Sequence, residues 1–263
     1  MPEALENLPA EVAKGLRGVF CDIDDTLTWR GELVPEAYAA LAALRASGLR
    51  VIPVTGRPAG WADHIARMWP VDGVVGENGG LWFYRTEAGF SRGYIQSATE
   101  RAANRARLDA LGGEILRAVP GCALASDQRY RELDLAVDWC EDVPRLDDAA
   151  IDAIVASFTA IGATAKVSSI HVNGWFGAFD KLTGARRLVS ERWGESLTED
   201  AGAWLYLGDS GNDEPMFEFF PNTIGVANVV EFLPRMTHHP RWICQENGGH
   251  GFAEAARHVL SLR

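Results

Sequence analysis

The apolar run Val19-Phe20-Cys21 leads directly into Asp22, Asp24 and Asp25. A strand that delivers clustered carboxylates at its end needs something to offset their mutual repulsion. Residues two apart on a strand share a side, so Asp22 and Asp24 are expected to face one way and Asp25 the other. A hard divalent cation with a preference for oxygen, such as Mg²⁺, is one neutraliser. The spacing alone leaves a second reading open, a strand that ends in an acidic surface loop.

The rest of the chain narrows the setting. Its 263 residues suffice for one large domain or two ordinary ones, and the net charge of −11 speaks against a general nucleic-acid or anionic-membrane binder. Phosphate could still be held by a local device: a metal, a helix start or a single placed cation. Cys21, Cys122, Cys140 and Cys244 show no paired spacing and suit a reducing compartment. No apolar run approaches the roughly 18 residues of a membrane span, so the expectation is a cytoplasmic protein.

In chain order, Thr28–Pro35 reads as a short turn or flap and Pro35–Ser47 as a helix closed by Gly48. Arg50–Val54 reads as a second strand, and strand, helix, strand is the unit of a parallel sheet. That strand ends in Thr55-Gly56-Arg57-Pro58, where a hydroxyl and bare backbone N–H groups could meet an anion; an ordinary turn is the alternative. Gly73–Gly76 and Leu81–Tyr84 read as strands joined through Glu77-Asn78-Gly79-Gly80 in a tight hairpin, adding an antiparallel edge. Between about residues 85 and 179 the pattern changes. Ser97–Leu116 and Leu146–Ile161 read as helices and Gly121–Gln128 as a strand. Glu132–Trp139 alternates, with Leu133, Leu135, Val137 and Trp139 on one face, and Val167–Asn173 alternates likewise. This is an α+β module of αββαββ order with one sheet face left open. Beyond it, Lys181 starts a helix in a chain with few lysines. Trp204–Leu207 is a strand that ends in Gly208-Asp209-Ser210-Gly211-Asn212-Asp213. Asn247–Gly251 reads as a glycine-rich turn before a closing helix at Gly251–Leu262.

Taken together, DxDDTLT, TGR, a lone lysine after a long insertion, and GDSGND resemble, in that order, the haloacid dehalogenase (HAD) superfamily of phosphoryl-transfer enzymes. The short gap after Asp22 and the long one between Thr55 and Lys181, with Glu77-Asn78-Gly79-Gly80, make the chain similar to the subclass IIB cap group. That group includes sugar-phosphate, sucrose-phosphate and mannosylphosphoglycerate phosphatases and phosphomannomutases. The resemblance implies an α/β Rossmann-like core with a parallel sheet, formed by residues 1–85 and 180–263, and an inserted α+β cap at 86–179.

The resemblance also implies roles. Asp22 would be the nucleophile and Asp24 the general acid and base. Thr55, Gly56, Lys181 and Asn212 would bind the phosphoryl oxygens. Mg²⁺ would be held by Asp22, the backbone carbonyl of Asp24 and Asp209, with Asp213 orienting a metal water. Asp25 stands where the family often has glycine and is read as supporting the flap turn. On the open cap face Asp134, Asp138, Ser169, His171 and Asn173 would meet the leaving group, and Arg129 and Arg131 could grip a second anion; a solvated face is the alternative. These groups suit a small hydroxyl-rich substrate, a sugar or polyol phosphate, with a phosphomutase as the alternative activity. A monomer or homodimer is expected, with no nucleic-acid or membrane partner. His238-His239 reads as an exposed loop pair, and Trp29 as a flap aromatic able to close over substrate.

Overall fold

The structure is a computed structural model that describes residues 1–168 and 170–263; Ser169 lies outside the described residues. Its centre is a six-stranded sheet in the order Glu3–Ala4, Trp242–Ile243, Thr223–Gly225, Trp204–Gly208, Gly18–Cys21 and Arg50–Pro53. Every pairing in it is parallel. Strands buried on both faces read as continuous apolar runs, and their alternate residues serve two separate cores. Val19, Cys21, Val51, Leu205 and Leu207 pack with the helices Pro35–Ala46 and Gly248–Leu262 on one face. Phe20, Ile52, Trp204 and Tyr206 pack with Lys181–Trp193 on the other. This is the doubly wound α/β core expected from the sequence.

The antiparallel edge is present as a three-stranded sheet of Gly73–Gly76, Leu81–Thr86 and Gly89–Tyr94, tied to the main sheet by a parallel bridge between Val54 and Val75. Its first connection is not the tight two-residue turn that Asn-Gly suggested. Residues 77–80 form a 3₁₀ turn with Glu77 and Asn78 both at positive φ, 44° and 54°.

The inserted module follows the αββαββ order: Ala98–Ala118, Ala123–Leu124, Leu135–Asp138, Asp148–Ala160, Thr164–Val167 and His171–Trp175. Its four strands form a separate sheet. Ser97 starts the long helix with a complete capping box to Glu100. Leu108, Ile115, Leu135, Val137, Ile154, Phe158 and Val172 fill the space between sheet and helices. The opposite sheet face turns toward the strand-end loops of the core.

Three readings are corrected. The Gly121–Gln128 strand shrinks to Ala123–Leu124, because Gln128–Tyr130 coils into a 3₁₀ turn. Leu133 does not share the cap core with Leu135 and Val137; it packs in the core of the parallel sheet. The strand starts only at Leu135 because the backbone N–H groups of Glu132, Leu133 and Asp134 are all bound by the Glu77 carboxylate. Finally, the glycine-rich turn is the first turn of the closing helix, which begins at Gly248. A Cβ at Gly248 or Gly249 would lie 2.5 Å from the Thr28 carbonyl oxygen or 2.4 Å from that of Leu27. The glycines therefore let the helix start press against the flap.

A second close approach sets the position of Lys181. Gly79 has φ +101°, and a Cβ there would stand 1.8 Å from the Asp180 carbonyl oxygen. Only a bare backbone lets the 77–80 turn seat itself against the start of the Lys181 helix. Gly79→Ala combines overlap with a disfavoured φ, so we expect a loss of about 3 kcal/mol or more in urea denaturation. An unchanged denaturation midpoint would show that the turn can shift away from the helix.

Candidate active site

In a parallel sheet all strands end at the same edge, and sites of open α/β folds lie there. Asp22 follows the Gly18–Cys21 strand, Thr55 the Arg50–Pro53 strand and Asp209 the Trp204–Gly208 strand, so residues distant in sequence converge. The strand ends at Cys21, and the three acids lie in the turn beyond it, so their directions come from that turn and not from strand alternation. Asp25 has φ +53°, a conformation that glycine adopts freely and aspartate tolerates. Its N–H donates to the Thr28 hydroxyl, which supports the flap hairpin of Thr28–Trp29 and Glu32–Leu33.

Lys181 is the electrostatic centre. Its side chain is 2% exposed, and Nζ lies 2.9 Å from Asp22 and 2.7 Å from Asp213. It also reaches the Asn212 amide oxygen at 3.4 Å. Burial alone would lower the lysine's pKa, but the two carboxylates outweigh it and hold the pKa above its ordinary value. Burial pushes the Asp22 carboxyl up, with Lys181 opposing that shift. Asp209 is likewise pushed up, first by burial and then by the charges of Asp213 and Asp22.

Carboxylate oxygens of Asp22, Asp209 and Asp213 lie within 4.8 Å of one another. Such a hard oxygen set, with more negative charge than Lys181 can offset, fits a divalent cation. Asp213 is heavily committed: it accepts from Lys181 and the Tyr206 hydroxyl on one oxygen, and from the Asp209 and Ser210 N–H groups on the other. Asp209 accepts from the Thr26 hydroxyl at 3.0 Å and from the Asn228 amide at 3.4 Å.

Thr55 is buried and its hydroxyl oxygen accepts the Arg57 N–H. Gly56 lines a cavity of about 20 Å³ with Asp22, Asp24, Arg57, Arg131, His171, Asn173 and Asn212. That volume admits roughly one water molecule, so core and cap meet with no room for a larger guest. A wider cavity of about 710 Å³ adjoins it, sharing Ser168 and Ser210 and lined also by Asp25, Trp29, Arg30, Trp139 and Asp209.

The cap residues divide. His171 and Asn173 line the small cavity. Asp134 is wholly buried and bound by Arg131 at 3.0 Å and by the Asn173 amide at 2.8 Å. Arg131 is buried, pairs with Asp127 and Asp134, and donates to the Gly56 carbonyl at 2.8 Å. It fastens cap to core and has few donors left for a second anion. Arg129 lies exposed against the Tyr130 ring, outside the cavity, within the 3₁₀ turn Gln128–Tyr130. Asp138 is buried too, and its carboxylate accepts the N–H groups of Cys140, Glu141 and Asp142, so it organises a turn and does not face a ligand. Ser169 lies outside the described residues. His238 and His239 stay on the surface, with His239 Nε2 against the Leu233 carbonyl at 3.0 Å.

Three residues without an assigned role belong to this site. Arg57 donates to Asp24 at 2.9 and 3.1 Å and to Glu141 at 2.9 Å. The other Glu141 oxygen lies 2.8 Å from His171 Nε2. His171 first, then Arg57, brings the Glu141 carboxyl down to about 2. Glu77, fully buried, binds the Ala59 N–H as well as the three cap N–H groups, and burial pushes its pKa up. Arg57 stood in the TGR motif, and Glu77 in the hairpin connection; Glu141 carried no signal in the sequence.

A family model for haloacid dehalogenase-like hydrolases matches residues 19–104. A sequence comparison with curated proteins finds no match. Among solved structures the chain is similar to Thermoplasma acidophilum 0175, at 20% identity and a TM-score of 0.73, covering 94% of this chain and 99% of that one. It is also similar to the sucrose-phosphatase of Synechocystis sp. PCC6803 in complex with sucrose and phosphate, at 17% identity and a TM-score of 0.65, covering 93% and 98%. The HAD subclass IIB sugar phosphatase BT4131 matches at 14% identity and a TM-score of 0.63, covering 94% and 100%. The resemblance carried by the four loops is thus met by the family model over the first part of the chain and by the fold over nearly all of it.

Two outcomes follow from the buried charges. Arg131→Ala leaves the Asp134 carboxylate buried without its cation and Asp127 with the 3.5 Å contact to Arg57, and should cost about 3–5 kcal/mol in urea denaturation. Glu141 has a folded pKa below its ordinary 4.5, so its contribution to stability is present above that value and lost as pH falls toward 2. Glu141→Gln should therefore lower Tm at neutral pH and flatten the acid side of the Tm–pH curve; parallel curves would refute the assignment.

Proposed function

We propose that the chain is a phosphatase that hydrolyses a small phosphorylated metabolite, a sugar or polyol phosphate, by way of an aspartyl phosphate. The observation that carries this reading is the buried Asp22 carboxylate, 2.9 Å from Lys181 and grouped with Asp209 and Asp213. A carboxylate held at the sheet edge beside a fixed cation is a nucleophile with its counter-charge already in place. The TGR and GDSGND loops add donors around the point where phosphorus would sit.

An Asp22 oxygen attacks phosphorus while the bond to the leaving oxygen breaks, and Asp24 gives that oxygen its proton. Water then attacks phosphorus, Asp24 takes up the proton, and phosphate departs with Asp22 restored. Lys181, the Gly56 N–H, the Thr55 hydroxyl and the Asn212 side chain bind the phosphoryl oxygens through both steps. Mg²⁺, held by the Asp22 and Asp209 carboxylates and the Asp24 carbonyl, would offset the charge that otherwise opposes attack on a phosphate dianion. Asp213 keeps Lys181 and the Asp209 backbone in register for this task.

The 20 Å³ cavity is too small for a phosphate ester. Substrate that reaches Asp22 beneath His171 and Asn173 must therefore displace the cap sheet locally, straining the Arg131 bond to Gly56 and the Arg57 bond to Glu141, while the 710 Å³ cavity, which shares Ser168 and Ser210 with the small one, offers space beside it. Once the sheet closes, His171 and Asn173 stand over the reacting group, and amide and imidazole groups suit a hydroxylated leaving group. The sucrose-phosphatase and BT4131 likenesses support a sugar phosphate as substrate.

Phosphate release should be seen on members of a panel of sugar, polyol and glycerate phosphates when Mg²⁺ is supplied, and should vanish with EDTA. Asp22→Asn should lower kcat by at least about 10⁴-fold with the fold intact by circular dichroism. Turnover that survives this substitution would sink the mechanism.

A further inference from the structure

The cap places one carboxylate where the core has an unexpected use for it. Glu141 sits on a turn whose three successive N–H groups, from Cys140, Glu141 and Asp142, are all bound by the buried Asp138. A carboxylate spent in this way fixes the backbone at Glu141 to a single path. One Glu141 oxygen then lies 2.8 Å from His171, on the neighbouring cap strand, and the other accepts from Arg57 at 2.9 Å. Arg57 in turn stacks over the Trp61 ring at 4.6 Å and donates to both oxygens of Asp24. The side chain of Arg57 is 9% exposed, against 26% for that of Glu141. The chain of contacts therefore runs from the cap sheet inward to the carboxylate beside the nucleophile.

Arg57 is a core residue, and among the described residues its cap partners in this link are Glu141 and, more weakly, Asp127 at 3.5 Å. A long guanidinium side chain without these partners has many rotamers, and Asp24, in a turn, has little else to orient it. With the cap shut, Arg57 is held on two sides and its planar fork presents fixed donors to Asp24.

We propose that Glu141 and Arg57 are positioning residues that orient Asp24 for proton transfer only when the cap is closed. Proton delivery is thereby confined to the state in which the leaving group is enclosed. The proposal rests on the reading of Asp24 as acid and base given above. It assigns to the cap a part in the chemical step, in addition to enclosing the substrate.

The test compares two leaving groups. A hexose phosphate expels an alkoxide, which needs a proton as it leaves; p-nitrophenyl phosphate expels a stabilised phenolate, which does not. Glu141→Gln and Arg57→Lys should slow aspartyl-phosphate formation, read in single-turnover measurements so that the later hydrolysis common to all substrates does not enter, by about 10–100-fold on the best hexose phosphate, a part of the roughly 10²–10⁴-fold that general acid catalysis supplies, with the half-saturating substrate concentration changed far less. On p-nitrophenyl phosphate the loss should be at least about tenfold smaller. Arg57→Ala should be worse than Arg57→Lys, and adding Glu141→Gln to Arg57→Ala should cost nothing further, because the two act through one link. Equal losses on both substrates, or losses that multiply in the double variant, would overturn the proposal. Asp24→Asn separates the two claims. If it too fails to distinguish the substrates, the acid–base reading itself has failed; if it distinguishes them and Glu141→Gln does not, only the link has.

Discussion

A single buried ammonium group decides what the strand-end loops can be. Lys181 lies between Asp22 and Asp213 at salt-bridge distance, almost free of solvent. It opposes the burial that pushes the Asp22 and Asp209 carboxyls up where three acids from two strands share a small volume. Its position is itself imposed, because the helix that carries it begins hard against the Gly79 turn. The same turn supplies Glu77, which holds the cap backbone, so the alignment of Lys181 and the seating of the cap have a common origin.

Charge in this protein is balanced locally, and net charge says little about it. The chain carries −11, yet many carboxylates around the site have a cationic partner: Lys181 for Asp22 and Asp213, Arg57 for Asp24 and Glu141, Arg131 for Asp127 and Asp134; buried Asp209 and Glu77 are held instead by hydroxyl, amide and backbone N–H donors. Buried ion pairs are weak evidence for stability, since desolvation offsets much of the attraction, but removing one partner leaves the other exposed to that cost. These pairs serve to hold geometry, and one of them, Arg57 with Glu141, crosses between core and cap.

The core and its loops were legible in the sequence because their signals are local. A strand must be apolar where two cores meet it, and a loop at its end carries its own spacing, so Asp22, Thr55, Lys181 and Asp209 could be read one by one. The αββαββ order of the insertion was legible for the same reason. What could not be read was which cap loop lands on which core loop. Asp134 and Asp138 look like candidates for ligand contact, since alternation puts them opposite Leu135 and Val137. In the folded chain one is consumed by Arg131 and Asn173 and the other by three backbone N–H groups. Glu141 follows the strand in a polar stretch without periodicity, and its meeting with Arg57 depends on a tertiary approach across 84 residues. Asp25 shows the opposite case, a local residue whose positive φ explains why it can stand in for glycine.

The grip of Glu77 on residues 132–134 also bears on how such proteins could be recombined. An inserted sheet with its own helices and its own apolar core looks like a part that could be lifted out and transplanted. Here the residues just before its second strand find their hydrogen-bond acceptor on the host, and Leu133 is buried in the host's core. A chimera that joined this insertion to a foreign host would leave those N–H groups unsatisfied and Leu133 without a socket. Exchange of specificity between relatives thus has to carry the Glu77 turn along with the insertion, as one inherited unit split across the chain.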